Sequence, residues 1–188
     1  PYKNGESIQY KYLTYDKYKR LIKEDLPAPS NQRAVNTISY DKFTTTTTNA
    51  KGQTKTTTKN ALGKITYIQE EEGAYQYYQY DAVGNLISTI DSDNNHIVLQ
   101  YDIFGNKIYQ NDPDMGIWNY GYNALGQLTT QTDAKGQITT ISYDLLGRKI
   151  QENINEKIST WIYDTNYKGK VTKESKDNFS KTYSYDDY

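Results

Sequence analysis

Four aspartates, Asp81, Asp102, Asp144 and Asp164, each follow a tyrosine, and recurring carboxylates are the stuff of general acid–base pairs. A second group sits in DSDNNHIVLQYD, residues 91–102. There Asp91, Asp93, Asn95 and Asp102 occupy positions 1, 3, 5 and 12 of a calcium-loop pattern. The pattern departs where the ion would need it: position 6 should be Gly and is His96, and position 12 should be Glu and is Asp102. His96 is the only histidine, so any relay would rest on it, and no Ser or Cys nucleophile signature stands beside it. It reads as a strand-edge residue. Cysteine is absent, which excludes disulfides and thiolate metal sites. The acidic segment therefore reads as a hairpin turn, and the expectation is no metal, no cofactor and no enzyme.

The aspartates are better explained by their spacing. Tyr80, Tyr101, Tyr122 and Tyr143 each open a Y-[DN]-x-x-G unit, at steps of 21, 21 and 21 residues. Tyr163 and Tyr185 follow at 20 and 22. KNALGKI at 59–65 keeps the register upstream with Lys59 in the Tyr place, and Tyr40-Asp41 and Tyr15-Asp16 extend it more loosely. About nine copies cover nearly the whole chain, the signature of a repeat array. Residues 1–58 read as divergent repeats and 59–188 as regular ones, in one continuous array.

In D-x-x-G, the Asp accepts hydrogen bonds from backbone N–H groups just ahead, and the Gly closes the turn in the left-handed conformation. Asp81, Asp102 and Asp144 are thus turn caps, and Gly84, Gly105, Gly126 and Gly147 turn closers. A second turn falls 11 residues after each Tyr, as in Asp91–Asn95, Asp112–Gly116 and Asp133–Gly136; Asn49–Gly52 and Glu70–Gly73 repeat it upstream. Between turns, Tyr78, Leu99, Tyr120, Ile141, Trp161 and Tyr183 stand two residues before each Tyr, so both rows share one strand face. The run TTTTT at 44–48 reads as strand too. The expected fold is all-β: an antiparallel meander of about eighteen short strands. A sheet of eighteen strands at roughly 4.8 Å gives an arc of about 85 Å, more than open sheets hold without curling. A spiral or shell-like sheet is expected, as a fragment of a larger β-shell whose end strands pair with neighbours.

Composition narrows the function. Twenty-one tyrosines against 3 Phe and 1 Met put the apolar bulk in rings with a polar end. The formal charge of −1 gives no steering toward nucleic acid or anionic lipid. No apolar run is long enough to span a membrane. The opening PYKNGES, without Met or signal peptide, reads as a piece of something longer.

The repeated Y-D-x-x-G-[NRQ]-[LKI] resembles the YD repeat of rearrangement-hotspot (RHS) proteins, well over 59–188 and loosely over 1–58. In that family, which includes bacterial Rhs effectors, toxin-complex cocoons and teneurins, repeats spiral into a hollow shell around a C-terminal polypeptide, often a toxin. The resemblance implies a structural shell segment of a secreted or cell-surface bacterial protein. Its partners would be the passenger of the same full-length protein and neighbouring repeats. The family's aspartyl self-cleavage motif has only NDPDMG at 111–116 as its nearest text, in register as an inter-strand turn, so self-cleavage is not carried over. The alternative is a binding module, with Trp118, Tyr120 and Tyr122 stacking on sugars or cell-surface glycans.

Overall fold

A computed structural model describes residues 10–28, 33–165 and 167–186, all without helix. The opening PYKNGES and the final two residues of KTYSYDDY lie outside them. The described chain falls into two compact units: residues up to Tyr80 with Ser88–Asn95, and Asp81–Ile87 with residues from His96 onward.

In the first unit the strands are β1 (Tyr12–Tyr15), β2 (Leu21–Pro27), β3 (Arg33–Asp41), β4 (Thr44–Thr48), β5 (Thr54–Lys59), β6 (Ile65–Glu70) and β7 (Tyr75–Tyr80). Each pairs antiparallel with the next. Threonine makes β4 as the β-branched run requires: Thr44 and Thr46 meet Thr58 and Thr56 of β5, hydroxyl to hydroxyl, at 3.1 and 3.3 Å. β8 (Leu86–Asp91) gives Leu86 and Ile87 to the second unit and its remainder to the first.

The second unit continues as β9 (His96–Tyr101), β10 (Lys107–Asp112), β11 (Gly116–Tyr122), β12 (Leu128–Thr132), β13 (Ile138–Tyr143), β14 (Lys149–Ile154), β15 (Lys157–Tyr163), β16 (Val171–Lys176) and β17 (Phe179–Thr182). Every strand again pairs antiparallel with its successor. The architecture is the all-β antiparallel meander read from the repeat. Among the described residues seventeen strands stand where about eighteen were expected.

Alternation along the odd strands gives the two faces different shelter. Trp118, Tyr120 and Tyr122 are half-buried while Ile117 and Asn119, on the other face, are exposed; Ile141 and Tyr143 repeat this against Thr140 and Ser142. Shelter stops there. Among the described residues no hydrophobic side chain is buried, and the three that are buried, Ser88, Thr89 and Thr172, are polar. Most domains close two layers over an apolar core. Here backbone ladders, turns and ring-to-chain contacts must do that work.

Candidate functional site

The unit that recurs is a turn of five residues. Asp81 Oδ1 accepts from the N–H groups of Val83 (3.1 Å) and Asn85 (2.8 Å), while Gly84 N–H donates to the Asp81 carbonyl at 3.1 Å. Asp102 and Asp144 repeat these contacts two and four residues on, at 2.9 Å each. Gly84, Gly105, Gly126 and Gly147 have φ of 94°, 85°, 75° and 80°. The residue after each Gly answers the cap. Asn85 and Asn106 donate to the second carboxylate oxygen of Asp81 and Asp102 at 2.9 Å, and Arg148 Nε to that of Asp144 at 2.7 Å. Where the cap is Asn123 the polarity reverses: its amide donates to Gln127 Oε1 at 2.8 Å. Asp81, Asp102 and Asp144 take a donor and Asn123 an acceptor, a pairing that the spacing of Asp and Gly alone does not disclose.

These donors fix the ionisation of the caps. Asp102 is held below the ordinary carboxylate range first by Asn106, and Asp144 first by the Arg148 backbone N–H. Asp164 is lowered first by the Arg148 side chain, which reaches it at 2.6 Å from the preceding repeat. At Asp81 partial desolvation pushes up, and the donors of Asn85 and its neighbours outweigh it. Asp164 has a wider loop than the others, with φ of 61° and Gly169 N–H on its carboxylate. Each carboxylate is enclosed in its own turn. None shares a proton with another, and where two approach, Asp144 and Asp164, the Arg148 guanidinium stands between them as donor to both.

The tyrosines do something that the sequence did not announce. Opposite six of the Tyr positions the register slips by one residue, leaving Ile22, Thr66, Ile108, Thr129, Ile150 and Thr172 as bulge residues, all β-branched; opposite Tyr40 it does not. A bulge takes backbone groups out of the ladder. The carbonyl of the residue beside it is then taken by the next repeat's tyrosine: Tyr122 hydroxyl donates to Lys107 O, Tyr143 to Leu128 O and Tyr163 to Lys149 O, each at 2.9 Å. Tyr40 does this to Leu21 O, Tyr80 to Ile65 O and Tyr185 to Val171 O, at 2.8–3.0 Å. The acceptor is always the first residue of an even-numbered strand. Thr66, Thr129 and Thr172 return a hydroxyl across the bulge to the carbonyls of Thr58, Gly121 and Ile162. The only sequence trace is an Ile or Thr seven residues after the Tyr position in most copies. Partial burial, then the Asp102 charge, holds the Tyr122 phenol above its usual range, so it stays a donor.

Residues 122–153 match the family model described as RHS Repeat. That segment begins at Tyr122, takes in the clamp of Tyr143 on Leu128, and ends inside β14. That stretch carries the RHS repeat. No curated protein matches the sequence. Among solved structures the chain is similar to "Crystal Structure of TcdB2-TccC3" (17% identity, TM-score 0.70). It is also similar to the TcdB2-TccC3-Cdc42 crystal structure (16%, 0.67). A third is a TccC3 variant of the Photorhabdus luminescens Tc holotoxin pore (18%, 0.66). In each case the match covers 87% of this chain and 10% of the other, so the chain spans a tenth of the length of these relatives. At such identity the likeness is one of fold.

On the sheltered face of β11, the Trp118 and Tyr120 rings lie 6.4 Å apart and 18° from parallel. The Lys107 ammonium sits 4.9 Å from the Tyr120 ring centre, the Trp118 indole donates to Met115 O, and the Tyr122 hydroxyl is spent on Lys107 O. His96 begins β9, exposed. Asp91 fills its carboxylate with Asp93 N–H, Asn95 N–H and the Asn95 amide. Among the described residues no three His, Asp, Glu or Cys side chains gather as metal ligands. In the first unit an open groove of about 600 Å³ is lined chiefly by Thr, Asn, Gln and Glu and bridged by Lys55 on Glu70 at 2.6 Å. It holds no nucleophile–base pair.

Proposed function

We propose that the chain is a stretch of wall in a larger secreted β-shell, in which RHS repeats enclose a passenger polypeptide, a toxin, of the same full-length protein. The observation that carries this reading is a repeat sheet without a buried apolar core that is nevertheless locked, repeat to repeat, by turn caps and tyrosine clamps. Such a sheet is a building element rather than a self-contained catalyst. A bulge in most repeats supports it, because each bulge bends its strand and raises local twist in one sense. The similar Tc structures support it at the level of fold. The mechanism would be steric: a rigid wall whose sheltered face mixes Tyr, Gln, Glu and Lys and offers an unfolded chain no continuous apolar surface to grip.

Limited proteolysis of the full-length parent tests this. The passenger should resist protease in the native protein and become cleavable when Gly126→Val and Gly147→Val are combined. A passenger digested equally in both proteins would remove the reading. The near-parallel Trp118–Tyr120 pair favours a second reading, a glycan platform. A glycan array decides it: binding lost in Trp118→Ala would support the platform, and no binding by the native chain would end it.

A further inference from the structure

Antiparallel meander topology sends every odd-to-even turn to one edge and every even-to-odd turn to the other. In the second unit the first edge carries Ala82-Val83, Ile103-Phe104, Ala124-Leu125 and Leu145-Leu146 at the two central positions of four successive turns. Their side chains stand in water: Phe104 is 80% exposed, Leu125 79% and Leu146 76%, with Val83, Ile103 and Leu145 higher still. On the opposite edge the same positions read Pro113-Asp114, Ala134-Lys135, Asn155-Glu156 and Asp177-Asn178.

Turn geometry does not ask for this difference. Asp133 builds the same five-residue turn as Asp144, with its carboxylate on the N–H groups of Lys135 and Gln137, around Ala134-Lys135. The cap, the closing glycine and the answering residue make the turn; the central pair points outward and tolerates most side chains. Leucine and phenylalanine at those positions therefore serve the surface. Six such side chains, at roughly 60–120 Å² each, come to about 500 Å², and with their flanking turns approach the ~800 Å² per partner of a stable interface.

We propose that this apolar edge is an interface with a second copy of the chain, the two edges running antiparallel with the tips of one seated between the tips of the other. The period selects the occupant. Successive tips are two strands apart, about 9.6 Å, and a partner must present apolar knobs at that interval along a line. Another edge of the same repeat does so by construction. Charge does not oppose it: the caps behind the tips, Asp81, Asp102 and Asp144, have their carboxylates enclosed by donors of their own turns, and the fourth cap, Asn123, is neutral. This goes beyond the shell reading and stands or falls separately from it.

Sedimentation velocity over a concentration series of the 188-residue chain reads the association, and cysteine cross-linking reads the edge, since the chain has no cysteine of its own. The expected result is a concentration-dependent dimer whose dissociation constant rises at least tenfold in Leu125→Glu and in Leu146→Glu. Lys135→Glu on the opposite edge should leave it unchanged. Should a glutamate variant lose its β-sheet circular dichroism, single-cysteine variants decide: Phe104→Cys or Leu125→Cys should form a disulfide-linked dimer, and Lys135→Cys should not. A chain monomeric throughout would overturn the proposal. So would a dimer indifferent to the tips, which would point to pairing through strand edges. A monomer whose tips insert into phosphatidylcholine vesicles would assign the edge to lipid instead.

Discussion

Gly147 shows what one atom costs in this repeat. Its φ of 80° lies where a Cβ crowds the backbone, and a Cβ there would stand 2.9 Å from Gln127 Nε2, which donates to the Gly147 carbonyl. Gly147→Val is expected to lower the urea midpoint by an amount equivalent to about 2 kcal/mol or more, and Ala124→Val, at an exposed turn position, by much less. Equal midpoints would deny the turn its dependence on glycine. The caps predict a pH response. Asp91, Asp102, Asp144 and Asp164 all have folded pKa values below those of an unfolded chain. Their contribution is complete above about pH 5 and drains as pH falls below ~4 through the folded values. Thermal melts should show Tm falling over that acidic window, and Asp144→Asn should shrink the fall. Because the Asp91 carboxylate is already filled by Asp93 and Asn95, EDTA and added calcium should leave Tm unchanged. A calcium-dependent rise lost in Asp91→Ala would reverse that assignment.

Between strands, the tyrosine clamp is the repeated joint. Each bulge frees a carbonyl that the following repeat's hydroxyl takes up, so one repeat completes the hydrogen bonding of the one before. Tyr143→Phe keeps the ring and removes only the donor to Leu128 O. The expected loss is about 1–2 kcal/mol in chemical denaturation, with Tyr18→Phe, on an exposed ring, near zero. Thr129→Ile should be tolerated within about 1 kcal/mol, because Ile108 and Ile150 fill the same bulge position in the adjacent copies. A Tyr143→Phe chain as stable as the native one would reduce the clamp to an ornament of the ring's packing.

Within each unit, contacts run from strand to sequence-neighbouring strand, and the described residues hold no buried apolar side chain. Stability in such arrays is close to a sum of nearest-neighbour terms. Hydrogen exchange on Gly147→Val should therefore lose protection in β13–β15 while β4–β6 keep theirs. Uniform loss would mean that the whole chain unfolds as one unit.

The 21-residue period, read with the two turn spellings and the alternating rows of Tyr and Trp, determined the fold class and the resemblance to RHS repeats from sequence alone. Turns and strand alternation are local, set by which residues tolerate positive φ and which side chains share a face two positions apart. Tyr143 illustrates what sequence could not supply. Its place in the repeat was visible, but its hydroxyl's partner, Leu128 O, lies fifteen residues back and is free only because the ladder slips at Thr129. That slip depends on how two strands meet, and no single stretch of chain encodes it. The same holds for Arg148, whose second carboxylate partner, Asp164, belongs to the next repeat. Leu125 and Leu146 read as turn filler in one dimension. Only the meander, which sends every odd-to-even turn to one edge, gathers them into a surface.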